Sequence, residues 1–337
     1  MSFYEDLVTQ TQMNYERYYP VYARGDTPYQ LAKPSGRTYE EQIAYFAEQA
    51  RAADCVLVGG ASGLSAAGGG DFYYEDNESY RRAFRPFAEK YHFKGAFAGM
   101  MHPWDTPNER WGYLATFLHT TLAAPVRQPY RDLDALLAGK DFFILTTNQD
   151  TQFVKIYPEA QVAEIQGDHR FFQCARCCTD DAWDAVEPVE RIWEALQAGD
   201  GRHVPDELIP RCPHCGGEAF PWVRGYGNFL QGTKYEGEYE KVSRWLTERM
   251  RAERRILFLE LGVGRMTPMF IQEPFWNLTL NLPNARYIAV NNKTAFLPAQ
   301  LVDRGEAIQA DISQVLADVS NLGTGSNWPL PVKMGQA

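Results

Sequence analysis

The run Cys55-Val56-Leu57-Val58 is apolar and leads straight into Gly59, Gly60, Ala61, Ser62 and Gly63. A short continuous apolar run is the pattern of a strand buried on both faces, and such strands belong to parallel sheets. Glycines directly after the strand let backbone approach a phosphate closely, which is how a doubly wound α/β fold opens. The same pattern recurs along the chain. Asp141 to Thr146 reads as a second strand ending at Thr147, Asn148, Gln149 and Asp150, and Gln161 to Ile165 as a third ending at Gln166-Gly167. Ile256 to Leu261 ends at Gly262, Val263 and Gly264, and Arg286 to Val290 ends at Asn291-Asn292. Helical patterns lie between these strands. Thr38 to Ala53 puts Ile43, Phe46 and Ala50 on one face, with Thr38 as N-cap and Glu41 at the capping-box position. Further helices are expected at WGYLATFLHTTL, Glu236 to Arg254 and Asp311 to Val319. Strands alternating with helices imply a parallel sheet covered on both faces. Residues 1–36 are Tyr-rich and read as an irregular arm.

A chain of 337 residues has room for one large domain with a smaller one attached. The net charge of −10, with no basic run, argues against a nucleic-acid partner. No apolar stretch approaches the roughly 18 residues of a membrane span. The N-terminal segment is neither basic nor apolar, so no signal peptide is expected and the cytoplasm is the expected compartment.

Four of the six cysteines form two CxxC pairs, Cys174/Cys177 and Cys212/Cys215. Two such pairs complete a closed, tetrahedral, structural zinc site. Cys178, next to Cys177, is an alternative ligand. His214, inside CPHC, is expected to be solvated. The residues between the pairs, 178–211, are polar, acidic and proline-containing, and read as an excursion rather than core.

In an open parallel sheet the ligand lies beyond the carboxyl ends of the strands. Those ends carry Gly60, Ala61, Ser62, Gly63, Leu64 and Ser65, then Asn148 and Asp150, then Gln166, Gly262, Gly264 and Asn291. Backbone donors and amide side chains gathered at one edge suit a dinucleotide.

The order of these motifs resembles the sirtuins, the NAD-consuming Sir2-type proteins. It comprises the Gly-Ala-Ser turn, Asp71-Phe72, Thr-x-Asn-x-Asp, x-Gly, CxxC, CxxCGG, a strand ending in glycine and a strand ending in asparagine. The resemblance implies a Rossmann-like NAD-binding domain at 37–165 and 223–325, with 72–135 as a helical insertion. A zinc-binding small domain then lies at 168–222 and an N-terminal arm at 1–36. It implies that Ala61 through Ser65 hold the NAD pyrophosphate and that Asp71 and Phe72 belong to the flexible cofactor loop. Asn148, Gln149 and Asp150 lie beside the nicotinamide and its ribose, and Gly262, Val263 and Gly264 near the adenosine. Asn291 and Asn292 lie at the adenine ribose, and Gly60, Asp311 and Ile312 join the cofactor set. VRGYGN, from Val223 to Asn228, occupies the family's acceptor-binding position.

One departure bears on the activity. Sirtuin deacylases carry His-Gly before the zinc module; here the pair is Gln166-Gly167. Histidine titrates near neutrality and can take a ribose hydroxyl proton, whereas a glutamine amide has no usable pKa. The loss disfavours deacylation and leaves ADP-ribose transfer open. The pattern is similar to the class M, macrodomain-linked sirtuins, which act as protein mono-ADP-ribosyltransferases. That likeness implies Asn148, Asp150 and Gln166 as catalytic residues. It also implies a lipoylated, glycine cleavage H-like carrier protein as acceptor and a functional link to a macrodomain ADP-ribosyl hydrolase. His169, three residues after Gln166, is a possible stand-in base. The alternatives are an NAD-dependent deacylase, an NAD hydrolase and a non-enzymatic NAD or ADP-ribose sensor.

Overall fold

The computed structural model describes residues 2–24, 26–225, 227–265 and 267–324. Tyr226 of the VRGYGN segment, residue 325 at the expected domain end, and the Asp71 side chain lie outside what is described.

Six parallel strands form the main sheet: β1 (Cys55–Gly60), β2 (Asp141–Thr146), β3 (Val162–Glu164), β7 (Ile256–Leu261), β8 (Arg286–Val290) and β9 (Gly305–Ile308). Their spatial order is β3-β2-β1-β7-β8-β9, the doubly wound order of a dinucleotide fold, with its switch point between β1 and β7. Three further strands, β4 (Gly167–Cys174), β5 (Ala182–Asp184) and β6 (Ala219–Val223), make an antiparallel sheet ordered β5-β4-β6. Strand β9 escapes the apolar-run criterion because it is four residues long and carries Glu306.

Successive residues of each central strand enter cores on opposite faces, as a period of two requires. Leu57, Phe143 and Phe258 pack on one side, with the helices Thr233–Arg251 and Gln272–Asn281. Val56, Val58, Leu257 and Ile288 pack on the other, with the helices Tyr39–Ala52, Gln128–Leu137 and Ile312–Thr324. The expected capping box is present: the Thr38 hydroxyl accepts from the Glu41 N–H, and the Glu41 carboxylate accepts from the Thr38 N–H at 2.8 Å.

The first part of the N-terminal segment is helical, whereas the described residues from 23 to 36 are irregular as expected. Phe3–Arg17 is a helix whose Glu5 carboxylate accepts from the Ser2 N–H at 3.1 Å, one half of a capping box. It buries Tyr4, Val8 and Thr11, one face of a helix. Tyr4 Oη donates to the Phe270 carbonyl at 3.0 Å and Thr11 Oγ1 to that of Met269 at 2.7 Å, so this helix clamps the 268–270 turn. The 178–211 excursion is likewise not coreless. Its helix Val186–Ala198 buries Val189, Ile192 and Leu196 against Trp111, Leu114 and Leu118 of the helix Pro107–Leu122.

Glu260 is the charged exception inside the central strand β7. It is fully buried, accepts from Gln272 Nε2 at 3.0 Å and from the Tyr287 hydroxyl, and burial pushes its pKa up to about 7. Between pH 4.5 and about 7 the unfolded chain gives up this proton while the folded protein keeps it. Stability from this group is therefore complete below pH 4.5 and is lost as pH rises through 7, by about 3 kcal/mol. Urea unfolding of wild type and Glu260→Gln at pH 5 and pH 8 measures this. The variant is expected to gain on the wild type by about that amount at pH 8; an equal difference at both pH values refutes the assignment.

Candidate functional site

The carboxyl ends of β1, β2 and β3 open onto a cavity of about 380 Å³. Of the residues expected from sequence, Ser62, Ser65, Asn148, Gln149, Asp150 and Gln166 line it. Asn148 and Asp150 are buried and interlocked with the glycine turn. Asn148 Nδ2 donates to the Ala61 carbonyl at 3.0 Å, and Ser65 Oγ donates to Asp150 Oδ2 at 2.6 Å. The Tyr130 hydroxyl stands between them, 3.3 Å from Ser65 Oγ and 3.5 Å from Asn148 Nδ2. Arg127 Nη1 lies 3.8 Å from Asp150 Oδ2 and donates to the Ser65 carbonyl at 3.4 Å. Tyr130 and Arg127 sit at the start of a helix remote in sequence from both motifs, and no local pattern marks them.

The wall opposite is β4 and its entry. Gln149 Nε2 donates to the Gln166 carbonyl at 2.7 Å, and Gln166 Nε2 to the Ile165 carbonyl at 3.1 Å. Gly167 follows with φ +99°, and a Cβ there would overlap the Trp222 carbonyl oxygen. The β4–β6 register shifts between Gly167 and Phe172. Residues three apart on a regular strand face opposite ways; this bulge brings Gln166 and His169 to the same cavity. Asp168 turns away and pairs with Arg170 at 2.7 Å. Arg224, from the VRGYGN segment, completes the wall, with Tyr73, Tyr74, Phe97, Thr267 and Phe270 around it.

The other expected residues lie along the strand ends rather than in this cavity. Gly63 and Gly262 meet back to back at the switch point: Gly63 N–H donates to the Gly262 carbonyl at 3.0 Å, and a Cβ on Gly63 would lie 2.6 Å from Gly262 Cα. Gly262 has φ +73°, so glycine is required there on both counts. Asn291 Nδ2 donates to the Val263 carbonyl at 3.0 Å, and its Oδ1 accepts from the N–H groups of Lys293 and Thr294. Asp311 Oδ1 accepts from the Gln314 N–H at 3.1 Å at the start of the last helix. Leu64, Phe72 and Ile312 are buried in cores.

The cysteine cluster departs from the expected ligand set. The four sulfurs that come together, all within 4.8 Å of one another, belong to Cys174, Cys178, Cys212 and Cys215. Cys177 is outside this group. It takes φ +48°, its N–H closes a turn onto the Cys174 carbonyl at 2.9 Å, and its sulfur faces Gln173 Nε2 at 3.7 Å. The left-handed residue reverses the chain, so the next side chain, Cys178, swings back toward Cys174. The Cys174–Cys215 and Cys178–Cys212 sulfurs are 3.7 and 3.6 Å apart. Four thiolates around zinc stand about 3.8 Å apart, given Zn–S bonds of about 2.3 Å. The Gly217 N–H, followed by Arg176, pulls the Cys215 thiol down to about 6. The Cys174 sulfur beside Cys178 pushes that thiol up. Four sulfurs this close need a cation among them to be thiolates together. The cluster therefore fits a structural zinc ion.

Among the described residues no helix is long and apolar enough to cross a membrane. No protein-family model matches the chain. The chain is 29% identical over 267 residues to a protein ADP-ribosyltransferase of Staphylococcus aureus, covering 78% of this chain and 82% of that one. It is 28% identical over 292 residues to a probable bifunctional ADP-ribose hydrolase/ADP-ribosyltransferase of Fusarium oxysporum f. sp. cubense. That match covers 84% of this chain and 48% of the relative, so the chain spans about half of the fungal protein. Among solved structures, a mutant Sir2 homologue in complex with 2′-O-acetyl ADP ribose superposes with a TM-score of 0.50 at 14% identity. It covers 88% of this chain and 99% of that one. The doubly wound sheet with its cysteine-braced small sheet and the solved neighbour give this chain a sirtuin-like fold, and over most of its length its sequence is similar to that of a protein ADP-ribosyltransferase.

Proposed function

We propose that this chain is an NAD-dependent protein mono-ADP-ribosyltransferase of sirtuin type, releasing nicotinamide. The observation that carries this reading is the Gln166 amide in the cavity wall, level with Asn148 and Asp150, where a deacylase would need a titrating base. In the reaction the bond from ribose C1′ to nicotinamide breaks, and its electron pair leaves with nicotinamide. The acceptor nucleophile then bonds to C1′ and gives its proton to solvent. The chain's part is positioning and charge stabilisation. Asn148 and Asp150 frame the nicotinamide and its ribose, with Tyr130, Ser65 and Arg127 holding them in place. The side-chain-free Gly63–Gly262 contact lets the pyrophosphate approach the backbone of the turn, beside the Ser62 side chain. The names of both sequence relatives support transfer of ADP-ribose, and the fungal name supports a functional link to an ADP-ribosyl hydrolase. We place the acceptor among lipoylated, glycine cleavage H-like carrier proteins and the reaction in the cytoplasm.

Incubation with labelled NAD, a lipoylated carrier protein and, separately, an acetylated peptide tests the reading. Label is expected on the carrier and no deacylated peptide is expected. Label appearing only as free ADP-ribose points to a hydrolase, and deacylated peptide to a deacylase; either overturns transfer. Asn148→Ala is expected to lower transfer about 100-fold or more, because it removes an amide from the reacting end and the tether on the Ala61 carbonyl.

A further inference from the structure

His169 lines the same cavity as Gln166, is 2% exposed, and its Nε2 has no hydrogen-bond partner among the described residues. Its other nitrogen is fixed. Nδ1 lies 2.9 Å from Thr121 Oγ1, and the Thr121 hydroxyl is itself 2.9 Å from the Leu118 carbonyl. A hydroxyl has one proton, and a carbonyl can only accept. Thr121 therefore donates to Leu118 and must accept from Nδ1–H. The proton of the neutral imidazole is assigned to Nδ1, and Nε2 is left as a bare lone pair. Phe117 holds the ring edge-on at 5.4 Å between centroids.

We propose that His169 is a positioning residue for the dinucleotide, its Nε2 accepting a hydrogen bond from a hydroxyl of the ribose that bears nicotinamide. The inference rests on the NAD reading above. A carboxamide N–H of the same ligand would go to the Asp150 side chain, whose two oxygens offer more acceptor lone pairs than one ring nitrogen. The ribose hydroxyls are then the donors left for a neutral nitrogen. The role is acceptance without proton removal. Burial lowers the His169 pKa to about 4, only partly offset by Asp168, so the ring is neutral across the physiological range and a weak base. Gln166 and His169 thus divide between them what one histidine does in a deacylase: both hold the sugar and neither takes its proton. The Gly167 bulge that aims both side chains inward makes this division possible.

Calorimetry with NAD and with its 2′-deoxy and 3′-deoxy nicotinamide-ribose analogues tests the proposal on wild type, His169→Phe and His169→Gln. Wild type is expected to bind NAD about tenfold tighter than one of the two analogues. His169→Phe keeps the ring volume without the acceptor; it is expected to bind NAD about tenfold more weakly and to lose that discrimination. His169→Gln places an amide oxygen within similar reach and is expected to restore it. Nitrogen-15 spectra of histidine-labelled wild type need no variant. They are expected to show the Nδ1–H tautomer, with the bare Nε2 resonance moving on NAD addition. Unchanged discrimination in His169→Phe, or an Nε2–H tautomer, overturns the positioning role while leaving the NAD reading intact. Wild type that does not bind NAD at all overturns both.

Discussion

Replacing Gly167 by alanine is expected to abolish transfer and to destabilise the protein by roughly 4 kcal/mol or more. Two effects act together. The φ of +99° is costly for any residue with a Cβ, and that Cβ has nowhere to go because the Trp222 carbonyl oxygen occupies its place. The obstacle is backbone of the paired strand β6, so no side-chain rotation relieves it. β4 must part from β6 or Gly167 must rotate to negative φ; either way Gln166 and His169 lose their shared orientation. Denaturant unfolding and a transfer assay read the two effects separately. A variant with wild-type stability and activity would falsify the role given to the bulge. A control is Gly139→Ala, where φ is +74° but no atom crowds the Cβ; it is expected to cost about 1 kcal/mol and to leave activity unchanged.

The second large effect separates two adjacent cysteines. Cys178→Ser is expected to deplete zinc from the purified protein and to lower Tm by roughly 10 °C, the scale of losing a structural metal site. Cys177→Ser is expected to keep one zinc per chain, because its sulfur points to Gln173 rather than into the cluster. Elemental analysis beside thermal unfolding decides it. Zinc lost from the Cys177 variant and kept in the Cys178 variant restores the CxxC pairing and overturns the geometry given above. Cys212→Ser should behave as Cys178→Ser, since the two sulfurs are 3.6 Å apart.

Much of the fold was legible because its signals are local. Cys55–Gly60 and Ile256–Leu261 announce themselves as unbroken apolar runs that end in glycine, and Thr38 with Glu41 is a capping box written in four letters. The strand-end polar residues could be gathered because a parallel sheet aligns its carboxyl ends. What stayed hidden depends on long-range contact or on backbone sign. Phe3–Arg17 carries one half of a capping box and apolar spacing at Tyr4, Val8 and Thr11, but its polar, Tyr-rich composition masks the pattern. Tyr130 braces Asn148 from a helix whose own sequence says nothing of that role. The regular spacing of CARC pointed to Cys177; one residue in the left-handed region hands the position to Cys178. The polarity of 178–211 hid Val189, Ile192 and Leu196, which find their partners in a helix some 75 residues earlier.

The strand order has a consequence for synthesis. β1 lies between β2 and β7, and β7 is made almost 200 residues after β1. At about 5–20 residues per second, a growing chain carries β1 with one edge unpaired for roughly 10–40 s. For a shorter part of that interval, roughly 3–13 s, the helix Pro107–Leu122 waits with Trp111, Leu114 and Leu118 for the helix Val186–Ala198 to emerge. The nascent chain thus shows apolar surface at two places for seconds on the ribosome, which makes it a natural client for chaperones that shield exposed strand edges.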